Sequence, residues 1–303
     1  MNRPAPRISV IVPSYNEVEN IGGALECLLS QSTEHDYEII VVDSSQDGTA
    51  EIVKKHAPRV RLEYSPERLS CGEARNRGLA IARGEKILFT DADARVPPRW
   101  IDTLARHLET YDFTGGAVES AVPSNIGPRV SDLLEFIRCL PAKRRGSRTN
   151  SPYLPGVNCG YRRTALGKRR FLSCRAQDLI LNHELIRDGK TSFFDGSLVV
   201  KHLNKGSFER LITFQAKLGR SGYRWRLLSN KHFFVTRNPG VMLLAPFAKL
   251  VYLLAHFSSQ RDWSNLAFCI AASPLLIVAD GCWAYGFISA ARSGNEIKGP
   301  DPE

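Results

Sequence analysis

Two aspartates separated by one residue are the first candidates for chemistry in this chain. Asp91 and Asp93 flank Ala92 directly after the apolar run KILFT. A tight turn there would present two hard oxygen ligands, which Mg²⁺ or Mn²⁺ accepts together with water and substrate phosphates. The pair therefore predicts a divalent-cation site. The alternative is an Asp-Ala-Asp turn that only ends a strand and hydrogen-bonds its own backbone.

Polar side chains recur at other places where predicted elements begin or end. PSYNE follows the apolar run ISVIV, and DSSQD follows YEIIVV. Asp178 stands near the start of QDLILNHELIRDG, a predicted helix whose dipole favours negative charge at that end. The short predicted strand SLVVKH ends at His202.

The elements that must position these side chains alternate between strand and helix patterns. The nearly all-apolar strands ISVIVPS, YEIIVVDSS, VRLEYS and EKILFT are separated by helical patterns in EVENIGGALECLLSQ, TAEIVKKHA and EARNRGLAIARG. This alternation predicts an α/β fold with a parallel sheet covered by helices on both faces. In such sheets the ligand lies beyond the carboxyl ends of the strands. The polar residues at these ends are therefore expected to share one edge.

Composition narrows the class of protein. The chain has 303 residues, a formal net charge of +10 and seven cysteines without a CxxC pair. This pattern indicates reduced thiols in a cytosolic domain and argues against a disulfide scaffold or a zinc site. The opening MNRPAPR lacks the features of a secretory signal. The positive charge favours an anionic partner, which includes nucleic acid, an acidic membrane surface and a phosphorylated substrate.

The end of the chain is apolar and predicts membrane association. Residues 266–291 contain one formal charge, Asp280, and are long enough to cross a hydrocarbon core of about 30 Å. Residues 241–257 are short for a span and include Lys249, so this stretch is expected in the interface or as half of a hairpin. The alternative is a pair of buried helices packed on the rest of the protein, or an oligomer contact. We expect two regions, 1–230 and 231–303.

The motifs together resemble a known family. ISVIVPSYNE, VVDSSQDGT, EARNRGLAIARGEKILFTDAD and a later QD pair occur in the order seen in family 2 glycosyltransferases. The resemblance covers about residues 8–202. It implies a GT-A fold, a nucleotide-binding mixed α/β sheet flanked by helices, with Mg²⁺ or Mn²⁺ as cofactor. It also implies inverting transfer of a sugar from a UDP or GDP sugar to a lipid-linked or saccharide acceptor, at the cytoplasmic face of a membrane, in glycolipid or polysaccharide synthesis.

The resemblance also implies a set of residues for the donor. Those expected at the nucleotide and its diphosphate are Pro13, Tyr15, Glu17, Asp43, Asp47, Arg75, Asn76 and Asp91. Asp43 would accept hydrogen bonds from the base or ribose. Asp47 is equally well interpreted as a turn or helix-capping residue. Arg75 would bind diphosphate oxygens, and the alternative is a solvent-facing arginine on a basic helix.

The remaining implied residues concern transfer itself. Asp178 matches the second position of the family's Glu-Asp motif and would remove the proton of the acceptor hydroxyl, whereas Gln177 replaces the glutamate. Gly156 and Asn158 resemble the loop between donor sugar and acceptor. His202 would complete the metal site with Asp93 and Asp91, or would be a hydrogen-bonded structural histidine.

Other classes of protein fit less well. A nucleotidyltransferase should have a Gly-rich, Lys-containing phosphate loop near the first strand, and a dinucleotide-dependent oxidoreductase should have GxGxxG there, whereas the sequence reads PSYNEVENIGG. A nucleic-acid-binding protein is supported only by net charge, so no nucleic-acid partner is expected. A non-catalytic nucleotide- or anion-binding protein of the same fold stays open.

Overall fold

The computed structural model describes residues 7–121, 125–142, 146–203, 208–228 and 233–293. Residues 143–145, which belong to the basic stretch KRRGSRTN, lie outside the described residues.

The first half of the chain forms the predicted parallel sheet. Its strands are β1 (Ile8–Ser14), β2 (Tyr37–Asp43), β3 (Val60–Tyr64) and β4 (Lys86–Phe89), in the spatial order β3-β2-β1-β4. All three neighbouring pairs are parallel. The connecting helices are α1 (Ile21–Leu29), α2 (Thr49–Lys54) and α3 (Cys71–Ile81). Every residue of β1 is buried, as expected for a strand covered on both faces.

The sheet continues with strands of mixed direction. The next elements in chain order are β5 (Ala94–Arg95), α4 (Trp100–His107), β6 (Phe113–Ser120), α5 (Ile126–Glu135), β7 (Arg148–Thr149), β8 (Cys159–Arg162), α6 (Arg163–Leu166), α7 (Gln177–Arg187) and β9 (Ser192–His202). Strand β8 lies between β4 and β6 and is antiparallel to both, whereas β6 and β9 are parallel. The sheet is therefore mixed, as the family resemblance implied, rather than wholly parallel.

Strand β6 was not predicted from the sequence. Its segment FTGGAVES contains two glycines, which normally weaken a strand. Both glycines allow close backbone approach, because a Cβ on Gly115 would lie 2.7 Å from the Asn158 carbonyl oxygen and one on Gly116 would lie 2.3 Å from that of Leu198. The glycines thus allow β6 to pack tightly in the sheet.

Two apolar cores cover the faces of the sheet. Val10 and Val12 of β1 pack in one core with residues of α1 and α4. Ile11 points the other way and packs with residues of α3 and α7. The alternation along β1 confirms the prediction of helices on both faces.

The last third of the described chain is helical. It contains α8 (Phe208–Leu228), α9 (Phe233–Arg237), a 3₁₀ helix (Pro239–Leu244), α10 (Ala245–Ser259), α11 (Trp263–Ala271) and α12 (Ser273–Arg292). The apolar stretch 266–291 is divided between two helices, because α11 ends before Ala272 and α12 begins with Pro274 in its first turn. The other apolar stretch is longer than predicted and runs over Pro239–Ser259.

A third apolar core joins these helices to α5. It includes Val130 and Leu133 of α5, Leu253 of α10 and Leu276 of α12. Helix α8 contacts both α5 and α12 although it precedes the predicted boundary at residue 230. The division into 1–230 and 231–303 stays a prediction.

Candidate active site

Asp43 lies at the carboxyl end of β2 and is fully buried. The Ser45 hydroxyl donates to its Oδ1 at 2.5 Å. Its Oδ2 is also buried, and no described group makes a well-aligned hydrogen bond to it. Burial raises the pKa of Asp43, against the opposing effect of the Ser45 and Ser14 hydroxyls. This carboxylate retains acceptor capacity at the predicted nucleotide edge.

The loop after β1 places an aromatic ring at the same edge. Pro13 is buried in β1, opposite Val42 of β2. Tyr15 is 38% exposed, and the Arg68 guanidinium lies 4.4 Å from the centre of its ring. Asn16 adopts a positive φ of 55° and its N–H donates to Ser45 Oγ at 2.7 Å, which joins this loop to the loop after β2.

Asp47 joins the same two loops. Its Oδ1 accepts from the Thr49 N–H at 3.0 Å and from the Thr49 hydroxyl at 2.5 Å, and its Oδ2 accepts from the Val18 N–H at 3.2 Å. Burial would raise the pKa of Asp47, but these hydrogen bonds lower it. Both oxygens are engaged within the protein, which fits the turn interpretation, and the nucleotide contact of Asp47 stays a prediction.

Arg75 is buried and paired with Asp91. Its Nη2 lies 3.1 Å from Asp91 Oδ1, and 3% of the residue is exposed. The guanidinium is enclosed by the rings of Phe89 and Phe171, at 5.8 and 5.6 Å from their centres. The predicted alternatives were a diphosphate ligand and a solvent-facing arginine; the structure instead makes Arg75 the residue that fixes the Asp91 carboxylate.

Asp93 shares its surroundings with other carboxylates. Burial raises the pKa of Asp93 to about 6, with further contributions from Asp91 and Glu17 and an opposing one from His202. Glu17 itself accepts from the Asn20 amide at 2.7 Å. Such crowding of negative charge suits a divalent cation. Within the described ranges no three His, Cys, Asp or Glu side chains form a metal-binding group. A cation here would be held by Asp91 and Asp93 and would take its other ligands from phosphate and water.

His202 links two carboxylates. Its Nδ1 lies 2.9 Å from Asp132 Oδ1 and its Nε2 lies 3.4 Å from Asp93 Oδ2. Burial would lower the pKa of His202, but Asp93, Asp132 and Glu135 raise it to about 10. Both ring nitrogens of His202 thus face carboxylates, which is the hydrogen-bonded arrangement of the alternative interpretation and holds Asp93 in place. The role of His202 as a metal ligand stays a prediction.

Asp178 occupies the first turn of α7 and is held by the backbone. The Gly156 N–H donates to its Oδ2 at 2.7 Å, and the Leu179 N–H donates to its Oδ1 at 2.9 Å. Gly156 also lies against Arg75, because a Cβ at this position would be 2.4 Å from both terminal nitrogens of the guanidinium. The structure thus brings Asp178, Gly156, Arg75 and Asp91 together.

Two predicted amides, those of Asn158 and Asn76, hydrogen-bond within the fold. Asn158 is fully buried, donates to the carbonyls of Ala117 and Leu198 at 2.9 Å each, and accepts from the Trp100 indole at 2.9 Å. The prediction that it bonds sugar hydroxyls does not fit, because its amide is fully used.

Asn76 and Gln177 face the protein interior in a similar way. Both ends of the Asn76 amide bond the backbone of Phe171, at 2.8 and 2.9 Å. Gln177 is buried against Gly72 in the first turn of α3, where a Cβ would lie 2.3 Å from its Oε1. The contacts of Asn76 argue against its predicted nucleotide role. The Oε1 of Gln177 is buried and no described group donates to it, so its acceptor role stays a prediction.

Sequence reasoning missed Asp132, Ser45 and Arg68. Ser45 and Arg68 belong to loops at the predicted nucleotide edge, so their position relative to DSSQD and PSYNE was a usable signal. Asp132 lies on α5, 39 positions after Asp93 in an unremarkable helical segment. No motif marks it.

The chain is similar in sequence to known proteins. A sequence profile described as Glycosyl transferase family 2 matches residues 9–170. Glycosyltransferase AglE of Haloferax volcanii is 34% identical over 134 residues, which are 41% of this chain and 43% of that protein. The matched region spans less than half the length of this relative and of other curated relatives.

Solved structures share the fold. Mannosyltransferase PcManGT from Pyrobaculum calidifontis, in complex with GDP-Man and Mn²⁺, has a TM-score of 0.60 and 20% identity, over 97% of this chain and 89% of that one. TarS 1-349 of S. aureus, in complex with UDP-GlcNAc, has a TM-score of 0.51 and 18% identity, over 95% and 91%. These similarities confirm the predicted GT-A fold.

Proposed function

Because the chain belongs to glycosyl transferase family 2, we propose that it transfers a sugar from a UDP or GDP sugar to an acceptor hydroxyl. One observation carries the proposal. The acidic turn after β4 holds Asp91 against Arg75, and Arg75 lies against Gly156, whose N–H holds Asp178. A candidate metal site and a candidate base are therefore fixed on either side of one buried guanidinium.

The nucleotide would bind at the ends of β1 and β2. The open acceptor capacity of Asp43 Oδ2 suits an N–H of a base or an O–H of a ribose. The partly exposed ring of Tyr15 offers an aromatic surface beside it, supported on one side by Arg68. Both features suit the binding of a nucleoside, whether its base is uracil or guanine.

Asp91 and Asp93 would hold Mg²⁺ or Mn²⁺. Their carboxylates are hard oxygen ligands, and a cation would offset the burial and the neighbouring negative charges that raise the pKa of Asp93. A bound cation would neutralise the charge on the diphosphate as the nucleotide leaves. Arg75 keeps Asp91 in place, and His202 with Asp132 keeps Asp93 in place.

Asp178 would act as the general base. Two backbone N–H groups fix its orientation, and carboxylate oxygens have further lone pairs for an acceptor hydroxyl. The hydroxyl proton passes to Asp178 while the acceptor oxygen bonds the anomeric carbon and the bond to the nucleotide diphosphate breaks. Attack opposite the leaving group inverts the anomeric centre.

The acceptor would be lipid-linked or a saccharide, and the protein would work at the cytoplasmic face of a membrane. Two helical segments, Pro239–Ser259 and Ser273–Arg292, are long and apolar enough to cross a bilayer. A core helix of a soluble protein can have the same length and composition, but such a helix is mostly buried. In this protein only 17% of an apolar 18-residue stretch of the first segment is buried, which favours contact with lipid.

Titration calorimetry tests the donor site without knowledge of the acceptor. UDP, GDP, CMP and dTDP are titrated with and without Mn²⁺ into the wild type and into Asp93→Ala. The matched control is Asp188→Ala, which removes an exposed aspartate paired with Arg169 far from the acidic turn. We expect one nucleotide to bind with Mn²⁺ and Asp93→Ala alone to weaken it. Failure of all four nucleotides to bind folded protein would contradict the proposal.

A further inference from the structure

The outer side of the 239–259 segment is apolar and uncovered. Leu244, Phe247 and Val251 are 65%, 56% and 65% exposed. Their spacing of three and four residues places them on one side of the helix, and we call them the apolar stripe. Trp263 of α11 and Tyr285 of α12 are also largely exposed. An exposed apolar row of this kind marks a contact with another molecule or with lipid.

The charges inside the two apolar segments do not reach this surface. Lys249 is the one lysine, arginine or acidic residue in 239–259, and Asp280 is the one in 273–291. They form an ion pair with each other, and the Lys249 ammonium lies 4.1 Å from the centre of the Trp283 ring. The pair ties α10 to α12 and leaves the apolar stripe without charge.

Helix α8 constrains how α12 can sit in a bilayer. The two helices pack with their backbones in contact, because a Cβ on Gly219 would lie 1.9 Å from the Trp283 carbonyl oxygen and one on Gly286 would lie 2.0 Å from that of Ala216. Helix α8 carries one glutamate and five cations, Arg210, Lys217, Arg220, Arg224 and Arg226. If α12 crossed a bilayer, it would take this charged helix into the hydrocarbon, which is strongly unfavourable.

The α10 segment cannot cross a bilayer alone without a cost in free energy. It would have to leave α12, which separates Lys249 from Asp280 and places an unpaired lysine near the middle of the span. Both apolar segments are thus held to the charged helix α8, one directly and one through the ion pair.

The same region concentrates the positive charge of the chain. Residues 208–293 contain ten lysines and arginines against three acidic residues, a net +7 of the total +10. Basic residues beside an apolar surface attract an anionic leaflet. Charge complementarity therefore selects an anionic bilayer over a second copy of this chain, which would bring the same positive charge.

We propose that α8 and α10 to α12 lie on an anionic membrane surface, with the apolar stripe at the boundary of headgroups and acyl chains, and that neither apolar segment crosses the bilayer. The inference rests on the membrane association included in the proposed function. It specifies attachment at the membrane surface instead of attachment by a transmembrane segment.

Vesicle flotation tests the proposal with the full chain. Vesicles of phosphatidylcholine are compared with vesicles that also contain phosphatidylglycerol. We expect binding to the anionic vesicles, weakening with salt, and release by alkaline carbonate. Phe247→Glu and Val251→Glu should each lower partitioning at least about tenfold. Ile126→Glu, a matched change at an exposed apolar residue of α5, should leave it unchanged.

Several outcomes would overturn it. Retention in vesicles after carbonate treatment indicates a spanning segment, and equal binding to neutral vesicles removes the role of charge. A dimer in solution that ignores vesicles assigns the stripe to a second copy. Nucleotide calorimetry on the same samples separates this failure from failure of the proposed function, because the stripe lies outside the donor site.

Depth can be read from Trp263, which is 63% exposed. Lipids brominated near the headgroup should quench its fluorescence more than lipids brominated near the chain ends, and Trp263→Phe should remove the difference. Stronger quenching by the deep probe would contradict a surface location.

Discussion

Gly156→Ala should impair catalysis through two contacts at once. A Cβ at this position would lie 2.4 Å from both terminal nitrogens of Arg75, whereas ordinary contacts are 3.4–4 Å. One side must therefore move by roughly 1 Å, and a displacement of this size at a reacting group costs about 10²-fold in rate. Arg75 is enclosed by Phe89 and Phe171, so it cannot rotate into solvent.

The displacement reaches both sides of the site. If Arg75 moves, Asp91 loses its partner, and if the backbone moves, the Gly156 N–H leaves Asp178. We expect the kcat for hydrolysis of the bound sugar nucleotide to fall about 100-fold, equivalent to about 2.7 kcal/mol. Overpacking should also lower the free energy of unfolding by about 1–3 kcal/mol.

The assay follows release of nucleotide from the sugar nucleotide selected by calorimetry, in the absence of acceptor. Thermal unfolding shows that the variant is folded. Gly22→Ala is the matched control, because its new Cβ meets only Ile52 Cγ2 at 3.9 Å. The control should keep the wild-type kcat. An unchanged kcat for Gly156→Ala would show that Arg75 and Asp178 do not set the reacting geometry.

Three further predictions follow from single contacts. Asp178→Asn should lower transfer by about 10²- to 10⁴-fold while calorimetry shows unchanged nucleotide binding, and full activity would remove its role as base. Lys249→Met leaves Asp280 buried without a partner, which costs about 3–5 kcal/mol and, at about 2.1 cal/mol/K per residue for 303 residues, should lower Tm by about 5–8 °C. The double variant Lys249→Met, Asp280→Leu should recover most of that loss in the same scan, and a harmless single change would show that the ion pair is absent. Burial lowers the pKa of His256, against a hydrogen bond to the Pro141 carbonyl, so the unfolded chain binds more protons below about pH 6.5. The contribution of neutral His256 to stability should fall as pH decreases through that value, so on acidification the Tm of the wild type should fall relative to that of His256→Gln.

The sequence predicted the positions of the candidate site better than the roles of its side chains. Strand ends after apolar runs located Asp43, Asp91 and Asp93, because parallel strands place their carboxyl ends at one edge. The motif could not show that Asn76 and Asn158 spend their amides on the backbone. A short polar side chain has the same sequence signature whether it faces a ligand or a backbone group of its own protein.

The mixed part of the sheet escaped prediction for a different reason. Strand β6 has two glycines that backbone packing requires, and β8 is four residues long, so neither shows the long apolar run by which β1 was recognised. The apolar stretch 266–291 gave no sign that it is divided between α11 and α12, because apolar composition continues through Ala272, where α11 stops. The pattern of apolar residues shows which side chains avoid water. It does not show where the backbone hydrogen bonds of a helix are interrupted.

Helix α5 connects the helical layer to the acidic turn. Val130, Leu133 and Leu134 pack in the core shared with α8, α10 and α12. In the same helix, Asp132 bonds His202, and His202 lies against Asp93. A shift of the helical layer that moves α5 therefore displaces the carboxylate that would hold the cation. The connection consists of two side-chain contacts, Asp132 to His202 and His202 to Asp93. It does not require a change in the parallel half of the sheet. These contacts explain why a buried acidic residue stands at position 132, which no sequence motif indicates.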